Sequence, residues 1–195
     1  MITSLAQLDP NGSYTYADYL MWKFEERLEL IKGRIFSMSV PTRYHQDISR
    51  NLSRYLYNHL FDSSCRVYVA PFDVRLNRTD LTKNKEIITV VQPDLCVVCD
   101  PKKLDKKGCL GAPDIMVEIL SPGNSRKEMK DKFDIYQESG VLEYWIVSPI
   151  EKTIQVFRLN EQGIYIGLAP LVEGDILTTP ILVGLEIELD IVFRD

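Results

Sequence analysis

No stretch of this chain stays apolar and uncharged for more than a few residues, far short of the roughly 20 a membrane helix needs. No transmembrane helix is therefore expected. The opening residues, Met1 to Pro10, have neither a basic start nor a sustained apolar segment, so no secretory signal is expected and the cytoplasm is the expected location. Basic charge is scarce too. The 23 Lys and Arg against 28 Asp and Glu give a formal net charge of −5, leaving no global positive field to draw the protein onto a polyanion. That excludes a histone-like or arm-type nucleic-acid binder. It does not exclude an enzyme that meets nucleic acid through a local basic patch and metal ions, because carboxylate ligands themselves add negative charge.

Cysteine and histidine are few, 4 and 2. The Cys96-x-x-Cys99 pair lies in a strand-like segment, where positions three apart face opposite sides and cannot easily chelate one ion. Cys65, Cys96, Cys99 and Cys109 are accordingly expected as buried free thiols. No repeat of solenoid or propeller period and no low-complexity tract occurs. What remains is an average soluble composition over 195 residues, 45% hydrophobic and 26% charged. This fits a single domain, 1–195, that buries roughly 70% of its unfolded surface, with 1–13 as a loose N-terminal lead-in.

Thr15, with Asp18 three residues on, predicts a helix over Tyr16 to Glu26. Lys32-Gly33 between two strand-like pieces, Leu28 to Met38, reads as a hairpin. Ile48, Leu52, Tyr55 and Leu56 recur at helical spacing between Thr42 and Phe61, with Arg43, Arg50 and Arg54 elsewhere on that cylinder. Strands are expected at Arg66 to Leu76, Glu86 to Val91 and Leu95 to Cys99, with a polar loop from Asn77 to Lys85. Beyond a lysine-rich loop (Lys102, Lys103, Lys106, Lys107), Asp114 to Leu120 is a near-continuous apolar run of the kind that forms a central strand. Ser121 to Ser125 breaks it. A helix follows from Arg126 to Glu138 and stops at Gly140, then a strand from Leu142 to Val147, then two or three β-segments ending near Phe193. The sum is α+β, a mixed β-sheet flanked by helices with a β-rich C-terminal extension.

Three residues stand out chemically. Glu118 is a lone carboxylate inside Ile-Met-Val-Glu-Ile-Leu, where both faces of the strand should be covered; it must be ion-paired, protonated or metal-bound. Asp94 follows Pro93 at the entry to another apolar strand, a place where Asp also serves as a plain turn former. Lys132 falls on the edge of the apolar stripe Met129, Phe133, Tyr136, so its ammonium could reach inward or pair with Glu128 on the surface. Asp73 is expected to pair with Arg75 on its own strand face. His59 has no acidic or cysteine company, and Tyr144 and Trp145 read as core aromatics.

Together the runs Gln92-Pro93-Asp94, Ala112-Pro113-Asp114-Ile-Met-Val-Glu118-Ile-Leu-Ser121-Pro122, Lys132-x-x-x-Tyr136 and Gly140-Val-Leu-Glu-Tyr-Trp145-Ile-Val-Ser-Pro149 resemble the Uma-type family of "putative restriction endonucleases" in the PD-(D/E)XK nuclease superfamily. The likeness extends from Glu29-Leu-Ile-Lys-Gly33 through His45 to Phe157. It implies a restriction-endonuclease-like core and a Mg²⁺-dependent endonuclease, with Mn²⁺ able to substitute, that hydrolyses phosphodiester bonds of nucleic acid, DNA in particular. By the same likeness Asp94 and Glu118 hold the metal, Glu29 completes its shell, Lys132 is catalytic and His45 supports the site. A homodimer is implied by class, since such nucleases often cut two strands. The superfamily's usual lysine, two residues beyond the acidic strand residue, is here Leu120; the resemblance passes its role to Lys132. Leu120 also motivates the alternative of a non-catalytic member that binds nucleic acid or a protein.

Overall fold

The Lys32-Gly33 turn forms as the sequence implies. Both residues take positive φ, 51° and 80°, which a tight two-residue hairpin turn demands and glycine adopts freely. In the computed structural model, which describes residues 2–76, 83–121 and 126–194 (126 and 127 by backbone alone), this turn joins β1 (Leu28–Ile31) to β2 (Arg34–Ser37). Upstream, Ser4 caps a 3-10 turn, Leu5–Gln7, and Leu8 is buried. Thr15 and Asp18 make a complete capping box on α1 (Tyr16–Tyr19). That helix ends after one turn, short of the expected Glu26. Tertiary contacts replace helical ones there: the Lys23 N–H donates to the Ile2 carbonyl, and Tyr14, Tyr19, Trp22 and Phe24 pack ring against ring.

The second helix, α2 (Arg43–Leu60), begins where Thr42 Oγ1 accepts from the His45 N–H. Its Ile48, Leu52, Leu56 and Leu60 are buried, each contributing about 2 kcal/mol, while Arg43 and Arg50 pair with Asp47 on the outer side. Strands β3 (Arg66–Val69), β4 (Val74–Arg75), β5 (Val90–Val91) and β6 (Leu95–Val98) follow. The single strand expected over 66–76 is thus two strands in different sheets, because Pro71 between them has no N–H for a ladder. The strand expected over 86–91 shortens to β5. The predicted polar loop and the predicted break after Glu118 fall largely on 77–82 and 122–125, outside the described residues.

The chain continues through β7 (Leu104–Asp105), β8 (Gly108–Leu110), β9 (Ile115–Ile119), α3 (Arg126–Ser139) and β10 (Glu143–Ser148). Gly140, with φ 85°, ends α3 at the expected place. The tail has more pieces than the two or three expected: β11 (Thr153–Leu159), β12 (Tyr165–Gly167), β13 (Leu171–Val172), β14 (Ile176–Leu177), β15 (Ile187–Glu188) and a helical turn, α4 (Leu189–Val192). Short strands separated by turns lack the long alternation by which a strand is recognised.

One sheet runs β2-β1-β5-β4-β8-β7 and the other β12-β11-β10-β9-β6-β3, with β13 also on β11. In the second sheet β9 and β10 are parallel, and among the described residues every other strand pair is antiparallel. A parallel pair needs a crossover, and α3 supplies it. One face of this sheet, through Leu95, Val97, Val117 and Trp145, packs on α2 and the C-terminal tail. The other, through Cys96, Met116 and Tyr144, packs on α3 and on Ile31, Val74 and Val91 of the first sheet. This is the expected α+β arrangement with a mixed sheet, and Glu118 shares the face of Met116.

One expectation about cysteine fails. Cys65 and Cys99 form a disulfide, while Cys96 and Cys109 are buried free thiols. Cys65 immediately precedes β3 and Cys99 immediately follows β6, and Arg66 lies opposite Val98 in that antiparallel pair. Strand pairing therefore brings the two together, a neighbour relation that linear spacing does not show.

Candidate active site

Glu118 points from the centre of the mixed sheet at the crossover helix. Parallel β9 and β10 require α3 to lie across their shared face, so the inward side of α3 sits over Glu118. Lys132 Nζ meets both Glu118 oxygens at 3.1 Å, and the Tyr136 hydroxyl donates to Oε1 at 2.6 Å. Lys132 also lies 3.0 Å from Glu29 Oε2 and 4.0 Å from Glu128. Lys132 thus reaches inward: it is buried, 5% exposed, and its contact with Glu128 is made inside the cavity and not on the surface.

These charges are unevenly matched. Burial pushes the Glu118 carboxyl up to about 7, assisted by Glu29 and Asp94 and opposed by Lys132 and the Tyr136 hydrogen bond. Desolvation works against the Lys132 ammonium, but Glu118 and Glu29 outweigh it and hold it above the ordinary lysine range. At neutral pH Lys132 is a cation shared among carboxylates, and Glu118 is only partly ionised.

Asp94, at the entry to β6, is held from two sides. Its Oδ2 accepts from the Ile119 N–H at 2.7 Å and its Oδ1 lies 3.2 Å from His45 Nε2. His45 sits in the first turn of α2, placed by the Thr42 cap. Desolvation alone would lower its pKa, but the hydrogen bond and charge of Asp94, then Glu118, raise it. Its Nδ1 is buried without a hydrogen-bond partner among the described residues.

Glu29, 1% exposed on β1, comes from the first sheet. Oε1 accepts from the Gln92 N–H at 2.8 Å while Oε2 faces Lys132. Asp94, Glu118, Lys132, Glu29 and His45 all line one cavity of about 80 Å³, together with Arg27, Ser121 and Glu128. Five residues scattered from β1 to α3 thus converge.

The fit to a divalent metal follows from the donor set. Mg²⁺ takes oxygen ligands and usually one or two protein carboxylates, retaining water for the rest; Asp94 and Glu118, open to the same cavity, meet that requirement. Among the described residues no three His, Cys, Asp or Glu side chains converge as a metal cluster. Glu29, like Asp94 and Glu118, has both oxygens engaged, Oε1 with the Gln92 N–H and Oε2 with Lys132, and it lies deepest, so its plainest role here is to anchor Lys132.

Other expectations resolve differently. Asp73 does not pair with Arg75: it accepts from Tyr16 and from Gln92 Nε2, while Arg75 pairs with Asp105 at 2.6 Å. Asp73 precedes β4 instead of lying within it, so the two do not share a strand face. His59 is exposed, and Tyr144 and Trp145 are core residues as expected. Three participants were not assigned a role from sequence: Gln92, Arg27 and Tyr136. Tyr136 carried a usable signal, lying one helical turn beyond Lys132 on the same stripe. A further buried carboxylate, Glu143 on β10, accepts from the Trp145 indole at 2.9 Å and from Arg158 at 2.8 Å.

The chain is similar to known proteins along most of its length. It is 26% identical over 180 residues to the uncharacterized protein slr1290 of Synechocystis sp., covering 91% of this chain and 90% of that protein. Its fold matches a crystal structure described as "a putative nuclease belonging to DUF820" from Anabaena variabilis, with a TM-score of 0.71 and 19% identity over 92% of this chain and 97% of the other. A family model described as "Putative restriction endonuclease" matches residues 16–191. With a nuclease-like fold and a match over nearly all its residues, the chain belongs to the Uma2 family.

Proposed function

We propose that the protein is a Mg²⁺-dependent endonuclease hydrolysing phosphodiester bonds of nucleic acid, with DNA as substrate and Mn²⁺ able to replace Mg²⁺. The observation that carries this reading is the convergence of Asp94, Glu118 and Lys132 on one cavity, with the buried Glu118 held partly short of charge. Asp94 and Glu118 would hold the ion, which when bound supplies Lewis-acid polarisation of the phosphate and a more acidic water. Lys132, a fixed cation, orients the attacking water and stabilises the charge that develops on the phosphoryl oxygens. Its carboxylate neighbours favour its protonated form, which suits that role. Glu29 keeps Lys132 in place, and His45 fixes the rotamer of Asp94.

The whole chain, 1–195, is proposed to act as one domain and as a homodimer in the cytoplasm. Exposed Ile166 in the edge strand β12, with exposed Ile164 and Leu168 on either side of that strand, supplies apolar surface in the β-rich tail for that dimer. Light scattering should give twice 22.5 kDa; monomers at high concentration would remove the dimer. In a reducing compartment disulfides rarely persist, so thiol titration of protein taken from cells should find four thiols if the location is right and two if it is not.

Supercoiled plasmid incubated with Mg²⁺ or Mn²⁺, with and without EDTA, tests the activity. Metal-dependent nicking should vanish in Asp94→Ala and Glu118→Ala. Nicking that survives both substitutions contradicts the assignment. Stoichiometric nucleic-acid binding without metal binding or nicking would instead favour a non-catalytic member of the fold.

A further inference from the structure

Arg27, just before β1, brings to the cavity a guanidinium that the chemistry above does not use. It is exposed at its residue and lines the same cavity as Asp94 and Glu118. Its Nε and Nη2 both donate to Gln92 Oε1, at 3.1 and 2.8 Å. A neutral amide oxygen thus grips one edge of the guanidinium, aiming the cation without neutralising it. The ion-paired arginines differ: Arg43 and Arg50 pair with Asp47, Arg75 with Asp105, and Arg158 with Glu143. Arg27 makes no ion pair with any described residue.

Gln92 has one possible orientation. Its Nε2 donates to Asp73 Oδ1 at 2.8 Å and to the Tyr19 hydroxyl at 3.3 Å. An ionised carboxylate only accepts, so the amide nitrogen must face Asp73 and the oxygen must face Arg27. The Gln92 backbone N–H meanwhile holds Glu29, and the residue is buried, 8% exposed. One residue of the Gln92-Pro93-Asp94 run therefore sets both the charge that anchors Lys132 and the charge beside the opening.

We propose that Arg27 binds a phosphate of the substrate strand through the guanidinium edge that Gln92 leaves free, Nη1 and the second Nη2 hydrogen, and that Gln92 is its positioning residue. The proposal rests on the nuclease reading and names the part of the substrate recognised. Glu29, Asp94, Glu118 and Glu128 make the cavity hostile to an anion, and a pre-aimed guanidinium fork matches two non-bridging phosphate oxygens. Such a contact reads the backbone and carries no base preference.

Fluorescence anisotropy with a labelled duplex DNA and an RNA of the same sequence tests this, with Ca²⁺ in place of Mg²⁺ and again in EDTA, across a salt series. Arg27→Met should bind about tenfold more weakly, equally for unrelated sequences, with a salt slope smaller by about 1. Its melting temperature should fall by a few degrees, since Gln92 Oε1 loses both donors, so binding is compared well below the transition of either protein. Arg27→Lys should restore the slope and part of the affinity, a rescue no structural role would show. Gln92→Glu, which pairs a charge with the guanidinium, should reproduce the loss of slope; should it misfold, the two Arg27 variants still decide. Wild-type-like binding and KM in Arg27→Met, with nicking intact, overturns the proposal and leaves the nuclease reading standing. A wild-type protein that neither binds nor nicks either nucleic acid overturns both.

Discussion

Two carboxylates lie on neighbouring parallel strands, Glu118 on β9 and Glu143 on β10, and both are largely withdrawn from solvent, Glu118 to 12% side-chain exposure, yet they are solved in opposite ways. Glu143 is fully inaccessible, with one oxygen on the Trp145 indole and the other on Arg158, its cross-strand neighbour. It has one cation to itself. Glu118 shares Lys132 with Glu29 and Glu128, faces a cavity, and has its carboxyl pushed up to about 7 by burial. On the proposed function, the difference is what separates a carboxylate that holds a fold together from one kept ready for a ligand. Burial is common to both; the ratio of cations to carboxylates is not. A site with surplus buried negative charge is stable only at some cost, and a divalent cation relieves it.

The sharpest break of this contrast is Glu118→Gln. Nicking should fall by about a thousandfold or more, a loss of roughly 4 kcal/mol, while the melting temperature holds or rises because a poorly matched buried charge is gone. Retained nicking, or a collapse in stability, would make Glu118 another Glu143. Glu143→Ala is the counterpart. Leaving the buried indole without its acceptor and Arg158 without its partner should cost about 3 kcal/mol in chemical denaturation, with nicking per folded molecule unchanged. Activity lost at full stability would contradict that.

The third expectation concerns pH. With its folded pKa raised above the unfolded value, Glu118 favours folding in its protonated form, so that contribution is present below about 4.5 and is lost as pH rises through about 7. The melting temperature of wild type minus that of Glu118→Gln should therefore drop between these limits and level off above them; a flat difference would mean Glu118 is as well matched as Glu143. The smallest effect is expected from Tyr136→Phe. Removing the hydroxyl that steadies ionised Glu118 should weaken Mn²⁺ binding about fivefold by calorimetry, worth about 1 kcal/mol. Unchanged affinity would place Tyr136 with the core aromatics alone.

Glu118 was legible because a lone acid in an apolar run violates the strand's own pattern, and the Lys32-Gly33 turn, α2 and α3 were legible because turn chemistry and helical period are local. Glu143 was not. It opens its strand, where a polar residue looks unremarkable, and its partner Arg158 becomes its neighbour only once β10 and β11 pair. The same holds for Gln92, whose contacts reach Arg27, Glu29 and Asp73 across a sheet, and for the Cys65–Cys99 bridge. Asp94 and Lys132 lay between: each is commonplace alone, and the resemblance to a family joined them before the fold did. Contacts fixed by strand pairing have no local sequence signature, so the site's acids could be nominated one by one while its wiring could not.

The seat of α3 has a further bearing. Lys132 is delivered to Glu118 by a helix packed through Ile135 and Tyr136 into the core, and not by the strand that carries the acid. The number of residues joining strand to helix can then change from one relative to another without displacing the ammonium, provided the helix keeps its seat. A search for acid and lysine at a fixed separation would overlook proteins built this way, whereas a comparison of distances in space would gather them with strand-borne relatives.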